Sequence, residues 1–485
     1  MVFSSLLFLY AFFPLNILFY RIAPDIKAKN WVMLIFSLIF YAWAGPIYIL
    51  LLVGMTYADY LAALYIQGAT RKNLRRKYLF RGCAVNLGLL CIFKYLTFFL
   101  QTSHDFFGVP EKVVQIGLPI GISFYTFQLL SYLVDVYREQ VPAQRDFKTL
   151  LLYVSLFHQC IAGPIVRYET IEQELNGRVF RRSDMAGGIR RFTVGLAKKA
   201  LLANTCGSLA DSFLVATSGS AAEQIAVLMD KPVLSIWMGM IFYTMQIYLD
   251  FAAYSDMAIG MGNMIGFHYE ENFRYPYIAD SVREFWRRWH ISLSSFFRDY
   301  LYIPLGGNRC HKLRVIFNLF IVWACTGLWH GASWNYVFWG LYYFVFLVME
   351  RYIVPSALME KIPHAARHLY VLLVVSIGWM LFRFENFDVL QVALKGLVGL
   401  NGNGFTNYEC NMELRGNIIF LLVAALACTP VVIDFVHRFE ARAQQKEETM
   451  RLYKVLAVLV PVFLMLLSTT VLVGDSYNPF LYFRF

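Results

Sequence analysis

Apolar stretches of near-spanning length recur from one end of this 485-residue chain to the other, with no long polar module between them. A bilayer-crossing helix needs ~20 mostly apolar residues, and backbone polar groups in hydrocarbon must pair internally, so few folds remain open. Candidate spans fall near residues 2–20, 30–44, 46–67, 80–100, 114–137, 196–218, 230–262, 313–333, 335–352, 367–384, 415–438 and 452–472. Composition agrees, with 59% hydrophobic and 15% charged residues where a soluble domain has roughly 45–50% and about 25%. The expected fold is an all-α integral membrane protein, with 1–485 forming a single polytopic domain.

The net charge of +11 does not indicate nucleic acid, because of where the charge lies. Arg71-Lys72-Asn73-Leu74-Arg75-Arg76-Lys77 is strongly basic, whereas the next connection, around Asp105 and Glu111, has Lys112 as its only basic residue. Alternation of this kind is the positive-inside pattern. With the basic loop at 71–81 in the cytoplasm, the loops near 21–29, 138–148, 167–195, 267–314 and 438–452 fall on the same side, and 386–414 faces outward. The eight cysteines mostly lie in apolar runs without metal-ligand spacing, so no metal site is expected.

Two stretches depart from ordinary spans. Residues 148–166 begin and end on the basic side, which predicts a re-entrant segment. In 281–303, Phe285, Trp289, Leu293, Phe296 and Tyr300 recur at helical spacing, and Arg283, Arg287, His290, Ser294 and Arg298 form a polar stripe. That pattern predicts one basic amphipathic helix in the cytoplasmic interface. Its arginines suit either phosphate groups, through planar multidentate donors, or anionic lipid, and His290 would belong to a cytoplasmic entrance.

The segment 313–340 carries the strongest chemical signal. Fifteen residues separate Arg314 from His330 of Trp329-His330-Gly331, with Asn318 and Thr326 their only clearly polar side chains. On a helix, His330 lies ~24 Å from Arg314, inside a ~30 Å hydrocarbon core. An ionisable group at that depth faces a partner or a cavity and is a functional candidate. Gly327 and Gly331 allow close approach by a substrate or another backbone, and Asn335 follows as a possible oxyanion donor. Asp59, Asp135, Asp250 and Asp256, also in apolar runs, are expected to pair between helices.

The run EFWRRWHISLSSFFRDYLYIPLGGNR (284–309) followed by GLWHGASWNYVFWG (327–340) resembles the signature of the membrane-bound O-acyltransferases, on their alginate-acetylating branch. The likeness extends through PIGISFYTFQLLSYLVDVYR (119–138), IAGPIVRY (161–168), YSDMAIG (254–260), ENFRYPY (271–277) and NPFLYFRF (478–485). One departure is Ala252-Ala253 where relatives often have Ser-Gly. The sister branch that D-alanylates teichoic acid looks less similar, lacking the IPLGGNR ending.

The resemblance implies about 11–12 transmembrane helices around a central channel, with re-entrant and interfacial helices, in the bacterial inner or plasma membrane. It implies O-acyl transfer, with acetyl-CoA as donor and no bound cofactor or metal. The acceptor would be an exported polysaccharide or a secreted or membrane-anchored SGNH-type acetyltransferase. It maps the catalytic positions onto His330 and His290; the residue pattern itself, not the resemblance, offers Arg283, Arg287, Arg298 and Asn335 as substrate-binding candidates. D-alanyl transfer to wall polymers, a transporter and a non-enzymatic scaffold stay open as alternatives. Single cysteines introduced at positions 75 and 403 test the sidedness: in intact cells an impermeant reagent should label 403 and spare 75, and the reverse would overturn the topology.

Overall fold

The computed structural model describes residues 1–43, 45–109, 117–160, 163–355 and 361–474. Ile161, Ala162, Glu111, Lys112 and the 478–485 ending therefore lie outside the described residues. No strand occurs among those described. Among the described residues, six helices are long and apolar enough to cross a membrane: Tyr48–Gly68, Lys72–Phe107, Lys312–His330, His364–Arg383, Tyr408–Ala427 and Glu447–Gly474. Helices occupy the other expected stretches too, although Ile26–Ala42 and Ile122–Tyr137 have only 17 and 16 residues.

Three boundaries differ from expectation, each for a local reason. The basic run 71–77 is not a loop: the helix begins at Lys72 and continues through a π-helical turn at Cys91–Tyr95 to Phe107. Charge alternation bears on sidedness and says nothing of conformation, since Lys and Arg are good helix formers. The stretch 415–438 is not one helix, because Tyr408–Ala427 stops ahead of Pro430 and Val431–Ala443 starts after it. Proline lacks an N–H and clashes with the preceding turn. The segment 386–414, expected to be an outward-facing connection, contains its own helix, Phe387–Leu397, with the Asn386 side chain accepting from Asp388 and Val389 N–H.

The chain divides into two compact units. The first comprises 1–192, 254–271 and 295–301. Within it, Asn86 Nδ2 donates to Asp59 at 2.7 Å, tying the 48–68 helix to the next. The Tyr300 hydroxyl lies 2.8 Å from both Asp135 oxygens. Arg191 pairs with Asp256 at 3.0 Å and with Glu271. Of the expected re-entrant stretch 148–166, residues 148–160 fold as Phe147–Ser155 and the short Phe157–Cys160, two helical pieces separated by Leu156.

The second unit comprises 193–253, 272–294 and 302–485. Its buried core is aromatic, built from Trp286, Trp289, Trp339, Tyr343 and Trp379. Asp250 meets Lys199 at 2.7 Å with both side chains buried. All four carboxylates set in apolar runs thus have partners, which buried charge requires. The Lys312–His330 and Trp334–Val348 helices approach closely through glycine. A methyl on Gly327 would strike the Tyr336 carbonyl, and one on Gly340 the Trp323 carbonyl. Gly327 therefore admits a second backbone and leaves no space for a substrate. Overpacking a tight core costs about 1–3 kcal/mol, so Gly340→Val should lower the thermal midpoint of the detergent-purified protein by several degrees. An unchanged midpoint would refute the close contact.

Candidate functional site

The sequence 281–303 does not form one helix. Val282–Arg288 starts on Ser281, whose Oγ accepts from Glu284 N–H at 3.1 Å. The Glu350 carboxylate reinforces this end, accepting from Val282 N–H at 2.7 Å and Arg283 N–H at 3.0 Å. A carboxylate at a helix N-terminus satisfies orphan donors and complements the helix dipole. The helix stops at Arg288 because Trp289 is extended and His290 takes φ +42°. That left-handed backbone is uncommon outside glycine, though histidine tolerates it better than most residues. A second helix, Ile291–Phe297, then begins.

What bends the chain is a short segment paired alongside it. Arg274 N–H donates to the Arg288 carbonyl and Ile291 N–H to the Asn272 carbonyl, both at 2.9 Å. The Asn272 side-chain oxygen accepts from Ser292 Oγ at 2.8 Å and from Ser292 N–H at 3.3 Å. His290 Nδ1 lies 3.1 Å from the same oxygen. Sequence reading missed Asn272, because its partner is 18 positions away and no local periodicity links them.

The break redistributes the predicted stripe. Arg283 and Arg287 are exposed, one helical turn apart on the first helix. Arg288 pairs with Glu284 at 2.7 Å. Arg298 falls in the other unit, where Asp299 holds it at 2.7 Å and also pairs with Arg167 at 2.7 Å. Burial alone would raise the Asp299 carboxyl, but hydrogen bonds from Arg298 and Arg167 outweigh it and hold it below its usual value. His290 is no part of an exposed face, being only 1% exposed. Burial pushes its imidazole down to about 3, so the ring is neutral at physiological pH.

His330 is the last residue of the Lys312–His330 helix and is buried. Its ring is met nearly edge-on by Trp339 at 5.0 Å and Phe382 at 5.4 Å. The Trp329 ring lies 5.0 Å from His330 and 5.8 Å from His290, so one indole contacts both imidazoles. A methyl on Gly331 would run into the Tyr336 ring, so the turn after His330 closes on protein. Asn335 is completely buried. Its amide donates to the carbonyls of Phe382 at 3.3 Å and Leu381 at 3.5 Å, which commits both its hydrogens. The side chain that sequence suggested as an oxyanion donor instead ties the start of the 334–348 helix to the end of the 364–383 helix.

The described residues thus form a polytopic helical protein in which two buried imidazoles contact one tryptophan. Residues 84–385 match the model of the membrane-bound O-acyltransferase family, and the chain belongs to that family. All six candidate residues lie within the matched stretch, and the protein is an acyltransferase. The chain is 37% identical over 440 residues to the probable alginate O-acetylase AlgI of Pseudomonas aeruginosa, covering 90% of this chain and 81% of the relative. It is 34% identical to the peptidoglycan O-acetyltransferase of Helicobacter pylori, covering 83% and 80%. The teichoic acid D-alanyltransferase of Bacillus subtilis is more distant, 26% identical over 48% of this chain and 59% of its own length.

Leaving buried carbonyls unpaired costs about 1–3 kcal/mol. Asn335→Leu should therefore lower the thermal midpoint of the purified protein, whereas an Asn335→Asp protein at low pH, where the neutral acid restores one donor, should recover part of the loss. Equal midpoints for wild type and Asn335→Leu would remove this tie.

Proposed function

We propose that this acyltransferase moves an acetyl group from cytoplasmic acetyl-CoA, across the bacterial inner membrane, to an exported polysaccharide or a secreted SGNH-type acetyltransferase that serves one. The observation that carries the reading is His330, an imidazole buried at the far end of a spanning helix among Trp329, Trp339 and Phe382. The relatives at 34–37% identity are named for O-acetylation of alginate and peptidoglycan, and this favours acetyl over D-alanyl.

In the proposed reaction the acceptor hydroxyl oxygen attacks the thioester carbonyl carbon while His330 takes the hydroxyl proton. The C–O bond forms, the C–S bond breaks, and the thiolate recovers the proton from the imidazolium. The products are an O-acetyl ester and free coenzyme A thiol. An imidazole suits this step because its unperturbed pKa lies near neutrality. His290, sharing Trp329 with His330, lies on the donor side of the same path. Arg283 and Arg287, exposed on one short helix, are assigned to the donor phosphates, for which guanidinium supplies paired donors. Arg298 and Asn335 are left out, since each is engaged by Asp299 or by backbone carbonyls.

Loss of a general base typically costs 10²–10⁴-fold. A His330→Ala strain should therefore lose nearly all acetate released from its polymer by mild alkali, with the protein still present in the membrane. Removing the imidazole leaves no buried charge, so insertion should persist. Near-normal acetylation at near-normal protein level would remove His330 from the mechanism. Lost export of the polymer itself would instead favour a transporter.

A further inference from the structure

The tether on His290 has a chemical consequence, which follows from the Asn272 amide. Ser292 N–H can only donate, and it points at the Asn272 side chain at 3.3 Å. The atom facing it must therefore be the amide oxygen, which settles the orientation of a group whose two ends look alike. That oxygen is also the atom 3.1 Å from His290 Nδ1. An acceptor there requires the ring proton on Nδ1, which leaves the lone pair on Nε2. His290 Nε2 is buried and has no hydrogen-bond partner among the described residues.

We propose that Asn272 is a positioning residue that locks His290 as the Nδ1–H tautomer, so that Nε2 is a fixed hydrogen-bond acceptor for the acyl-donor thioester's pantetheine arm. The arm carries two amide N–H groups, and a buried neutral imidazole nitrogen complements them. This rests on the reading that the donor passes His290. Three further features support it. The backbone strain at φ +42° is held in place by the same Asn272 segment, and such strain persists only where surroundings over-determine it. Phe251, at 4.7 Å, and Trp329, at 5.8 Å, meet the ring at steep angles, while Phe273 stacks at 6.3 Å. Among the described residues, the groups found against His290 are these three rings, Asn272 and Ser292, whose Oγ lies 3.4 Å from Nδ1; none is charged, and desolvation depresses its pKa. A nitrogen so hard to protonate is a poor proton carrier and a sound acceptor. His290 and His330 therefore divide the work, one holding the donor and the other moving the proton.

The test measures binding of radiolabelled acetyl-CoA to the full-length protein in nanodiscs, at pH 8 and pH 5.5, each variant expressed as a ratio to wild type. The ratio cancels titration of the ligand's own phosphates. A lost neutral hydrogen bond corresponds to ~3–10-fold in affinity. His290→Ala and Asn272→Ala should each weaken binding by that factor at both pH values, and the double variant by no more than either. Asn272→Asp keeps an acceptor at Nδ1 but adds a charge that favours the imidazolium, raising the His290 pKa. It should bind as wild type at pH 8 and ~3–10-fold more weakly at pH 5.5, where protonated Nε2 becomes a donor.

Asn272→Asp weakened equally at both pH values would make Asn272 a packing residue and overturn the proposal. So would Asn272 variants that all bind as wild type while His290→Ala does not. Wild-type binding by His290→Ala would instead overturn the donor-path reading on which the proposal rests.

Discussion

The backbone contact between the 312–330 and 334–348 helices sets the terms for the rest of the candidate site. Gly327 and Gly340 each face a carbonyl of the opposite helix at a distance no side chain could share. Apolar surface gives no driving force between helices surrounded by lipid, so close backbone packing through small residues is the available source of association. The contact fixes the end of the 312–330 helix, and with it His330. Asn335 then fastens the second helix to the carbonyls at 381–382, bringing Phe382 against the same imidazole. One packed contact and one buried amide thus define three walls around His330.

His290 reaches the same neighbourhood by the opposite route, through a helix that is interrupted. An imidazole that continued the 282–288 helix would follow the polar stripe outward with Arg283 and Arg287. The turn at 289–290 instead buries the ring between Phe251, Phe273 and Trp329. Glu350 at one end of the short helix and Asn272 at the other supply the polar partners that the interruption demands. Both histidines consequently have largely aromatic surroundings, which exclude water and strengthen any hydrogen bond made there. For the proposed transfer, a water-poor setting would protect the thioester donor against hydrolysis.

The fold was legible where the physics is local. Hydrophobic length located the helices, and Arg314 and His330 do lie on one continuous helix, as the apolar run between them predicts. The pairing of Asp59, Asp135, Asp250 and Asp256 followed from the cost of bare charge in apolar surroundings. Pro430 was a readable stop whose effect the apolar run around it concealed. What could not be read was set by distant partners. Arg283, Arg287, His290, Ser294 and Arg298 fit helical spacing equally well whether or not the chain breaks at 290, and the residue that breaks it is Asn272. Asn335 stood in the right neighbourhood, yet its donors belong to carbonyls almost fifty positions away. Family resemblance named the histidines; only geometry separated their surroundings.

The central claim is that acetyl groups enter as a cytoplasmic thioester and leave as esters on the other side, through His330. Inside-out membrane vesicles from the polymer-producing cells, given radiolabelled acetyl-CoA in the medium, test it directly. Alkali-released labelled acetate should accumulate in the vesicle lumen with the wild-type protein, and should fall to background with His330→Ala at matched protein level. Equal luminal ester label in the two preparations would contradict the account.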